Sequence, residues 1–459
     1  MENSTTENHD QNKTTEENKA KNASTQEEEK KMEVIPSDYS KESFKKTFNI
    51  CAVKVPVSKI SGILKDMKDY LLNIEKFPNI SKEPCKDPEY KLLFLNKNYQ
   101  RDNPSFWPEK LTNWIKENNY EIVDHTITLG FDYFSAQDVL AELLPKDIII
   151  PSGFEIVGTI AHLNLRGPQL PYKKLIGQVF LDKNPRLKTV VNKTEAIHTV
   201  YRVADLEVIA GEENYETQLK EGNCVFQLSF DKVYWNSRLQ YERDRILDQL
   251  AEGETLCDMF CGIGPLSVRA AKKGMFVVAN DLNPACYDYL LINTKLNKVE
   301  KQMLNYNMDA RGFFRYLMSD EFQKNDKIDP KFKYFHHIYM NLPADAVEFL
   351  DVFRGIMAGK EFEHWKGKAL PFVRVYAFDT GETDAQVKKN IAERIGKVYG
   401  EFDESEIKEL HKIKDVSLHK SMYCIGFRLT EKIVCDTTSG NKGEKVDEPE
   451  KSPKKVKTQ

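Results

Sequence analysis

The chain has 459 residues, 30% charged and 40% hydrophobic, with a formal net charge of −4. No stretch approaches the roughly 18–20 consecutive apolar residues of a membrane span, and the opening MENSTTENHD is polar and acidic, so neither a transmembrane helix nor a secretory leader is expected. Cys51, Cys85, Cys224, Cys257, Cys261, Cys286, Cys424 and Cys435 never form a C-x-x-C pair and the nine histidines show no ligand spacing, so reduced buried thiols are expected, with no metal and no disulfide framework.

Residues 1–40 carry a net charge of −5 and 436–459 a net charge of +1, which leaves 41–435 neutral. Both tails are nearly free of apolar residues and are expected to be disordered, because they cannot bury enough surface to offset the entropy of ordering. The terminal KSPKKVK reads as a solvated lysine run or, less simply, as a nuclear-import or RNA-touching patch. Segment 41–150 reads as an α+β domain, with a helix over 57–77 (VSKISGILKDMKDYLLNIEKF) and a strand over 120–131 (YEIVDHTITLGF). Segment 151–221 reads as a small β-rich middle domain, with short strands in 147–167 and 200–209. Between them, Lys183, Arg186, Lys188 and Lys193 stand close together in a loop-and-strand stretch, either gripping phosphate or forming an ordinary solvated face.

From 222 to 435 the pattern becomes an α/β alternation, the signature of a doubly wound, Rossmann-like domain. Strand ETLCDMF, loop CGIGP, helix LSVRAAKK, strand MFVVAND and helix ACYDYLLINTKLN come first. Strands HHIYMNLP and FVRVYAF, helix AQVKKNIAERIGKVY and strand MYCIGFRL follow. Asp258 ends the first strand, Gly262 and Gly264 allow backbone to approach a ligand, and Asp281 follows 23 residues after Asp258 at the next strand tip, where a carboxylate accepts from ribose hydroxyls. Pro265 follows the second glycine and Ser267 stands where the dinucleotide fingerprint has its third, so the loop suits S-adenosylmethionine better than a pyrophosphate.

DMFCGIGPLSVRAAKKG, VVANDLNPACYDYLLINTKLNKV, NMDARGFF and IYMNLPADAVEFLDVF, preceded by GTIAHLNLR and VYWNSRLQYERDRI, together resemble the tRNA (guanine-N1-)-methyltransferase family that modifies guanosine 37 beside the anticodon. The resemblance implies a class I methyltransferase domain preceded by smaller tRNA-gripping domains, with S-adenosylmethionine as methyl donor and a role in keeping the reading frame. It places cofactor contacts on Arg243, Asp281, Leu282, Asp309, Ala310 and Asn341. It also implies Glu254 as the base for the guanine N1 proton and Arg238 as the cation for charge on O6. A base of this kind needs a carboxyl raised toward neutrality by partial burial. Simpler readings stay open: Asp309 as a helix N-cap, Arg243 in a surface ion pair, Glu254 as a solvated loop carboxylate. NLPADA departs from the Asn-Pro-Pro-aromatic loop of related enzymes, so base stacking is expected from Tyr234, Trp235 or Tyr241. Position 37 is stacked and has to be flipped into the pocket. A monomer in nucleus and cytoplasm, with a mitochondrial pool by family likeness, is implied. An aminocarboxypropyl transferase of the wybutosine pathway and a silent RNA-binding scaffold remain as alternatives. A cytosine-C5 methyltransferase does not, since NLPADA lacks the cysteine nucleophile.

Overall fold

The structure is a computed structural model that describes residues 38–74, 77–81, 88–194, 203 and 205–437. Almost all of both expected disordered tails, the KSPKKVK run and Cys85 lie outside the described residues. The chain divides into two compact units, the first comprising 1–154, 163–192 and 208–211, the second 155–162, 193–207 and 212–459. The segment expected as a separate middle domain, 151–221, is thus shared between the two.

In the first unit, β1 (Lys46–Pro56), β2 (Tyr90–Phe94) and β3 (Glu121–Leu129) form an antiparallel sheet in the order β2-β1-β3. β1 is the central strand and is covered on both sides. Cys51, Val53 and Val55 pack with Leu93, Met67 and Leu111, while Ile50 and Ala52 pack with Phe94 and Ile127. The helix expected over 57–77 is shorter. Only α1 (Ile60–Asp66) is α-helical, and by Leu72 the backbone has turned to donate to Phe94 O at 2.9 Å, giving its amide to β2 instead of to another helical turn. Two further helices follow, α2 (Glu109–Glu117) and α3 (Ala136–Leu143), the latter started by a capping box in which Ser135 and Asp138 satisfy each other's backbone amides.

β4 (Glu155–Val157) and β5 (Ile160–Leu163) make a hairpin through Gly158 and Thr159. α3 is followed in its own unit by α4 (Lys173–Lys183), whose last turn takes up residues 179–183, expected to be loop and strand. Val179 and Phe180 are buried there, and Lys183 donates from Nζ to Phe131 O at 2.8 Å over the same residue's ring. β6 (Thr189–Lys193) and β7 (Leu206–Gly211) come next, then the antiparallel pair β8 (Glu216–Glu221) and β9 (Cys224–Ser229). The domain start expected at 222 falls in the turn of this last hairpin, where Gly222 adopts φ +58°, so β8 and β9 belong together in the second unit.

The second unit is built on seven strands. It contains α5 (Gln240–Asp248), β10 (Thr255–Asp258), α6 (Ser267–Lys272), β11 (Phe276–Asn280), α7 (Pro284–Leu296), β12 (Met303–Tyr306), α8 (Ala310–Leu317) and β13 (His337–Met340). It continues with β14 (Phe372–Asp379), α9 (Asp384–Tyr399), β15 (Glu409–Ser417) and β16 (Lys420–Arg428), followed by a short helix, Glu431–Val434. The sheet order is β12-β11-β10-β13-β14-β16-β15. The first five strands are parallel, and β14/β16 and β16/β15 are antiparallel. The antiparallel edge, which the parallel reading of the sequence lacked, follows from chain length: only Leu418 and His419 link β15 to β16, and two residues can close a hairpin but not a parallel crossover. Strand order reverses between β10 and β13, which opens a crevice beyond their carboxyl ends.

One sheet face carries Val373, Val375, Ala377, Tyr423 and Ile425 into a core with Phe313, Phe314, Leu350, Phe353 and Ile391. The other face, carrying Tyr339, Arg374 and Tyr376, is met by Glu242 and Arg245 of α5 and by Gln249 just past its end. Phe353 is fully buried, so Phe353→Ala is expected to cost about 3–5 kcal/mol of stability, read as a lower midpoint in denaturant titration.

Candidate active site

The crevice is walled by the loops that leave β10, β11, β12 and β13. Asp258 is 1% exposed, and its carboxylate accepts from Ser267 Oγ at 2.6 Å and from the Phe260 amide at 3.4 Å. Burial pushes this carboxyl up to about 7 against those two donors. The loop then turns through two left-handed glycines, Gly262 at φ +57° and Gly264 at φ +87°. A β-carbon on Gly264 would stand 2.6 Å from Leu290 Cδ1 and 2.9 Å from Val268 Cγ2, so a side chain there would displace both and strain a left-handed backbone.

Asp281 locks this loop from the next strand tip. One oxygen accepts from the Gly262 amide at 2.8 Å and the other from the Asn283 amide at 2.9 Å. Burial raises its pKa, and the two amides oppose the rise. The adjoining Leu282 is 46% exposed, an apolar surface left open beside a carboxylate. Asp309 caps α8, its Oδ1 accepting from Arg311 N at 3.0 Å and Gly312 N at 3.2 Å, while Ala310 is buried. Asn341, just past β13, donates from Nδ2 to Tyr339 Oη at 3.2 Å. The Tyr339 ring meets Tyr376 edge to face at 5.2 Å, and Tyr376 Oη donates to Glu242 at 2.6 Å. Asp258, Gly262, Gly264, Asp281, Leu282, Asp309, Ala310 and Asn341 therefore all stand at the carboxyl edge of the sheet.

Asn280 holds two of these loops together and was not singled out from the sequence. Its Nδ2 donates to Met308 O at 3.0 Å and Met259 O at 3.3 Å, and its Oδ1 accepts from Met308 N at 2.9 Å. The sequence signal was an amide closing the apolar run FVVA, where a buried polar group needs partners. Asn307 adds two donations, to Asp281 O and Leu282 O.

Three expected residues fall differently. Glu254 precedes β10, so its carboxylate sits at the amino edge of the sheet, roughly 13 Å of strand from Asp258. There it accepts from Ala251 N and pairs with His337 Nε2, both at 2.8 Å. Burial pushes its pKa up, but the Ala251 amide and His337 outweigh burial and leave it below the usual range. Its environment is the opposite of the one a base for N1–H requires. Arg243 is 4% exposed and forks onto Glu221 through Nε at 2.7 Å and Nη2 at 2.5 Å, over the ring of Trp235; it is a buried ion pair, not a surface one. Trp235 is itself buried against Phe226, which leaves Tyr234 and Tyr241, 57% and 77% exposed, as the open rings. Arg238 is exposed, and its guanidinium makes no hydrogen bond to any described residue.

Comparison with known proteins bears on what this edge does. Residues 217–370 match the TRM5/TYW2 methyltransferase domain and residues 136–214 the TYW2 N-terminal domain. A curated tRNA (guanine(37)-N(1))-methyltransferase of Phytophthora infestans is 41% identical over 418 residues, covering 90% of this chain and 96% of the relative. The chain belongs to the tRNA (guanine(37)-N(1))-methyltransferase family. A family member from Paramecium tetraurelia is 44% identical over 332 residues, 71% of this chain and 75% of its own. The crystal structure of Trm5b from Pyrococcus abyssi is 25% identical with a TM-score of 0.56, covering 83% of this chain and 99% of that one. The methyltransferase match encloses Arg238, Arg243, Asp258, Asp281, Asp309 and Asn341.

Glu221 is bound by two buried cations, since Arg269 also donates to it at 3.0 Å. Replacing it leaves Arg243 without a countercharge and Arg269 with Asp244 alone. Glu221→Gln is expected to lose about 3 kcal/mol or more in urea unfolding, with the β8–β9 hairpin losing amide protection first.

Proposed function

We infer that the chain methylates N1 of guanosine 37 in tRNA, with S-adenosylmethionine as methyl donor. The observation that carries this is family membership across nearly the full length of a relative, joined to a carboxyl-edge crevice whose carboxylates and glycines are all in place. The sulfonium of the donor supplies an electrophilic methyl group. The chain's residues suit it: a carboxylate held by two amides for the ribose hydroxyls, an exposed leucine for the adenine face, and a glycine turn left without side chains. Asp281 holds the ribose and Leu282 packs on the adenine. Asp309 and Ala310 read its edge. Asp258 and the Gly262–Gly264 turn shape the methionine end. Arg243 acts at one remove, fixing α5 to the β8–β9 hairpin.

Guanine N1 bears a proton, so transfer needs a base for it and positive charge for the developing O6 anion. Asn341 orients the base. Arg238, whose guanidinium makes no hydrogen bond to any described residue, supplies the positive charge. For the base, Glu242 replaces Glu254. It is 2% exposed, accepts from Arg245 on both oxygens at 2.7 Å, packs from α5 against the sheet face that bears Tyr339 and Tyr376, and is linked to Asn341 through those two rings. Tyr234 and Tyr241 are the rings available to neighbouring bases. The reading extends to a monomeric enzyme of nucleus and cytoplasm, which the acidic start of the chain suits, with a mitochondrial pool by family likeness.

Methyl transfer to tRNA transcripts with G or A at position 37, followed by nucleoside mass spectrometry, tests the reading. N1-methylguanosine from the G37 transcript alone is expected, and an aminocarboxypropyl product would overturn it. Glu242→Gln is expected to lower kcat by about 100-fold or more with cofactor affinity kept, and Glu254→Gln to stay near wild type. The reverse pattern would restore Glu254 as the base. Cofactor binding should also follow pH. Asp258 is raised to about 7, a bound cation favours its ionised form, and protons compete as pH falls through 7. Calorimetry is expected to show affinity for S-adenosylmethionine highest above pH 7 and declining below it, with proton release on binding.

A further inference from the structure

β15 contains a bulge that decides where one lysine points. Lys412 pairs with Tyr423 and Lys414 with Met422, so Ile413 is an extra residue without a partner. In an unbroken strand Lys414 would share a face with Lys412 and Leu410, the side of the apolar core. The bulge turns it over. Its partner Met422 pairs in turn with Phe378, which alternates with Tyr376 and Arg374 on the face met by α5. Phe378 is the penultimate residue of β14, and β14 runs parallel to β13, so Lys414 also stands at the carboxyl edge of the sheet, where Asn341 lies.

The charge around it is unbalanced. Lys414 is half-buried. Burial and then the nearby Arg238 disfavour its ammonium form, and among the described residues only Glu155 favours it. Glu155 is already committed to Ser237, accepting from its amide at 3.1 Å and its hydroxyl at 2.5 Å. His162 senses the same group of charges: burial lowers its pKa, Glu155 opposes, and Lys193 and Arg238 lower it further. Its Nε2 is buried without a hydrogen-bond partner. Three cations thus gather round one engaged carboxylate, and among the described residues neither Lys414 nor Arg238 has an ion-pair partner within 4 Å. Half-buried positive charge left uncompensated by the fold is a site prepared for an anion.

We propose that Lys414 binds a backbone phosphate of the tRNA next to the nucleotide being methylated, with the Arg238 guanidinium beside it strengthening the local field. The assignment rests on tRNA being the substrate. A phosphodiester supplies one negative charge and two acceptor oxygens, which is what a lone ammonium in this corner lacks. Phosphate contacts fix position and carry no base information. Lys414 would therefore hold the anticodon loop in register while Asn341 and Arg238 meet the base. Residue 414 lies beyond the matched methyltransferase segment, which ends at 370.

The test uses the full chain, a G37 tRNA transcript and the variants Lys414→Met, which keeps the apolar stem, and Lys414→Arg, which keeps the charge. Binding of tRNA is followed by fluorescence anisotropy across a salt series, separately from turnover, so a failure of the methylation reading would not be mistaken for a failure here. For Lys414→Met, the expected outcome is about tenfold weaker tRNA binding at physiological salt and a salt slope shallower by about one. KM should rise to match, with kcat at saturating tRNA within about twofold and S-adenosylmethionine affinity unchanged. Lys414→Arg should bind like wild type. An unchanged salt slope, or kcat loss at constant KM, would overturn the proposal. So would weakened cofactor binding, which would show that the anion is the cofactor's own carboxylate.

Discussion

Parallel strands all end on the same side of a sheet, and in this sheet that constraint fixes everything that follows. β10 and β13 lie side by side although they are far apart in sequence, so the connections leaving them diverge to opposite faces and a crevice opens between. Each strand tip delivers one polar group: Asp258, Asp281, Asp309 after β12 and Asn341 after β13. Because neighbouring tips are held in register by the sheet, the spacing of these groups is set by backbone hydrogen bonds and not by flexible side chains. A site assembled in this way is preorganised before any ligand arrives.

Electrostatics divides the two edges of the sheet. At the carboxyl edge, Asp258 and Asp281 are carboxylates raised by burial, and amides and a hydroxyl only partly compensate them. At the amino edge, Glu254 is paired with His337 and lowered, and Arg374 and Glu409 are paired with each other. The acids raised by burial line the crevice, and the lowered, ion-paired ones lie at the opposite edge. A buried carboxylate with a raised pKa in a crevice marks function more reliably than a paired one. The same reasoning favours Glu242 over Glu254 only with the geometry added, since both carry partners.

Much of this was legible in the sequence, because strand tips are written as motifs. Asp258, Gly262, Gly264 and Asp281 announce themselves by alternating apolar runs and glycine spacing, and the structure puts them on one edge. Glu254 falls away from that edge for a definite reason. Four residues before Asp258 is close in sequence, but along a strand it means the far side of the sheet. The burial of Arg243 and Trp235 is hidden from the sequence because their partners, Glu221 and Phe226, lie on a hairpin that the expected boundary at 222 cut in two. The antiparallel edge and the bulge at Ile413 depend on pairing partners and cannot be read from one strand. The shortened helix after β1 was set by competition from β2 for the Leu72 amide, a long-range event that local periodicity does not contain.

Asn280 carries a consequence for the ageing of the molecule. One side-chain amide makes three bonds that tie the loop after β10 to the one before α8, and both of its donations go to carbonyl oxygens. Conversion to aspartate, the ordinary chemical fate of an old asparagine, would exchange the donor for an acceptor and turn two attractions into repulsions at once. No residue that meets the cofactor would have changed, yet the two walls of the crevice would part. The lifetime of the active site is therefore tied to that of a single buried amide.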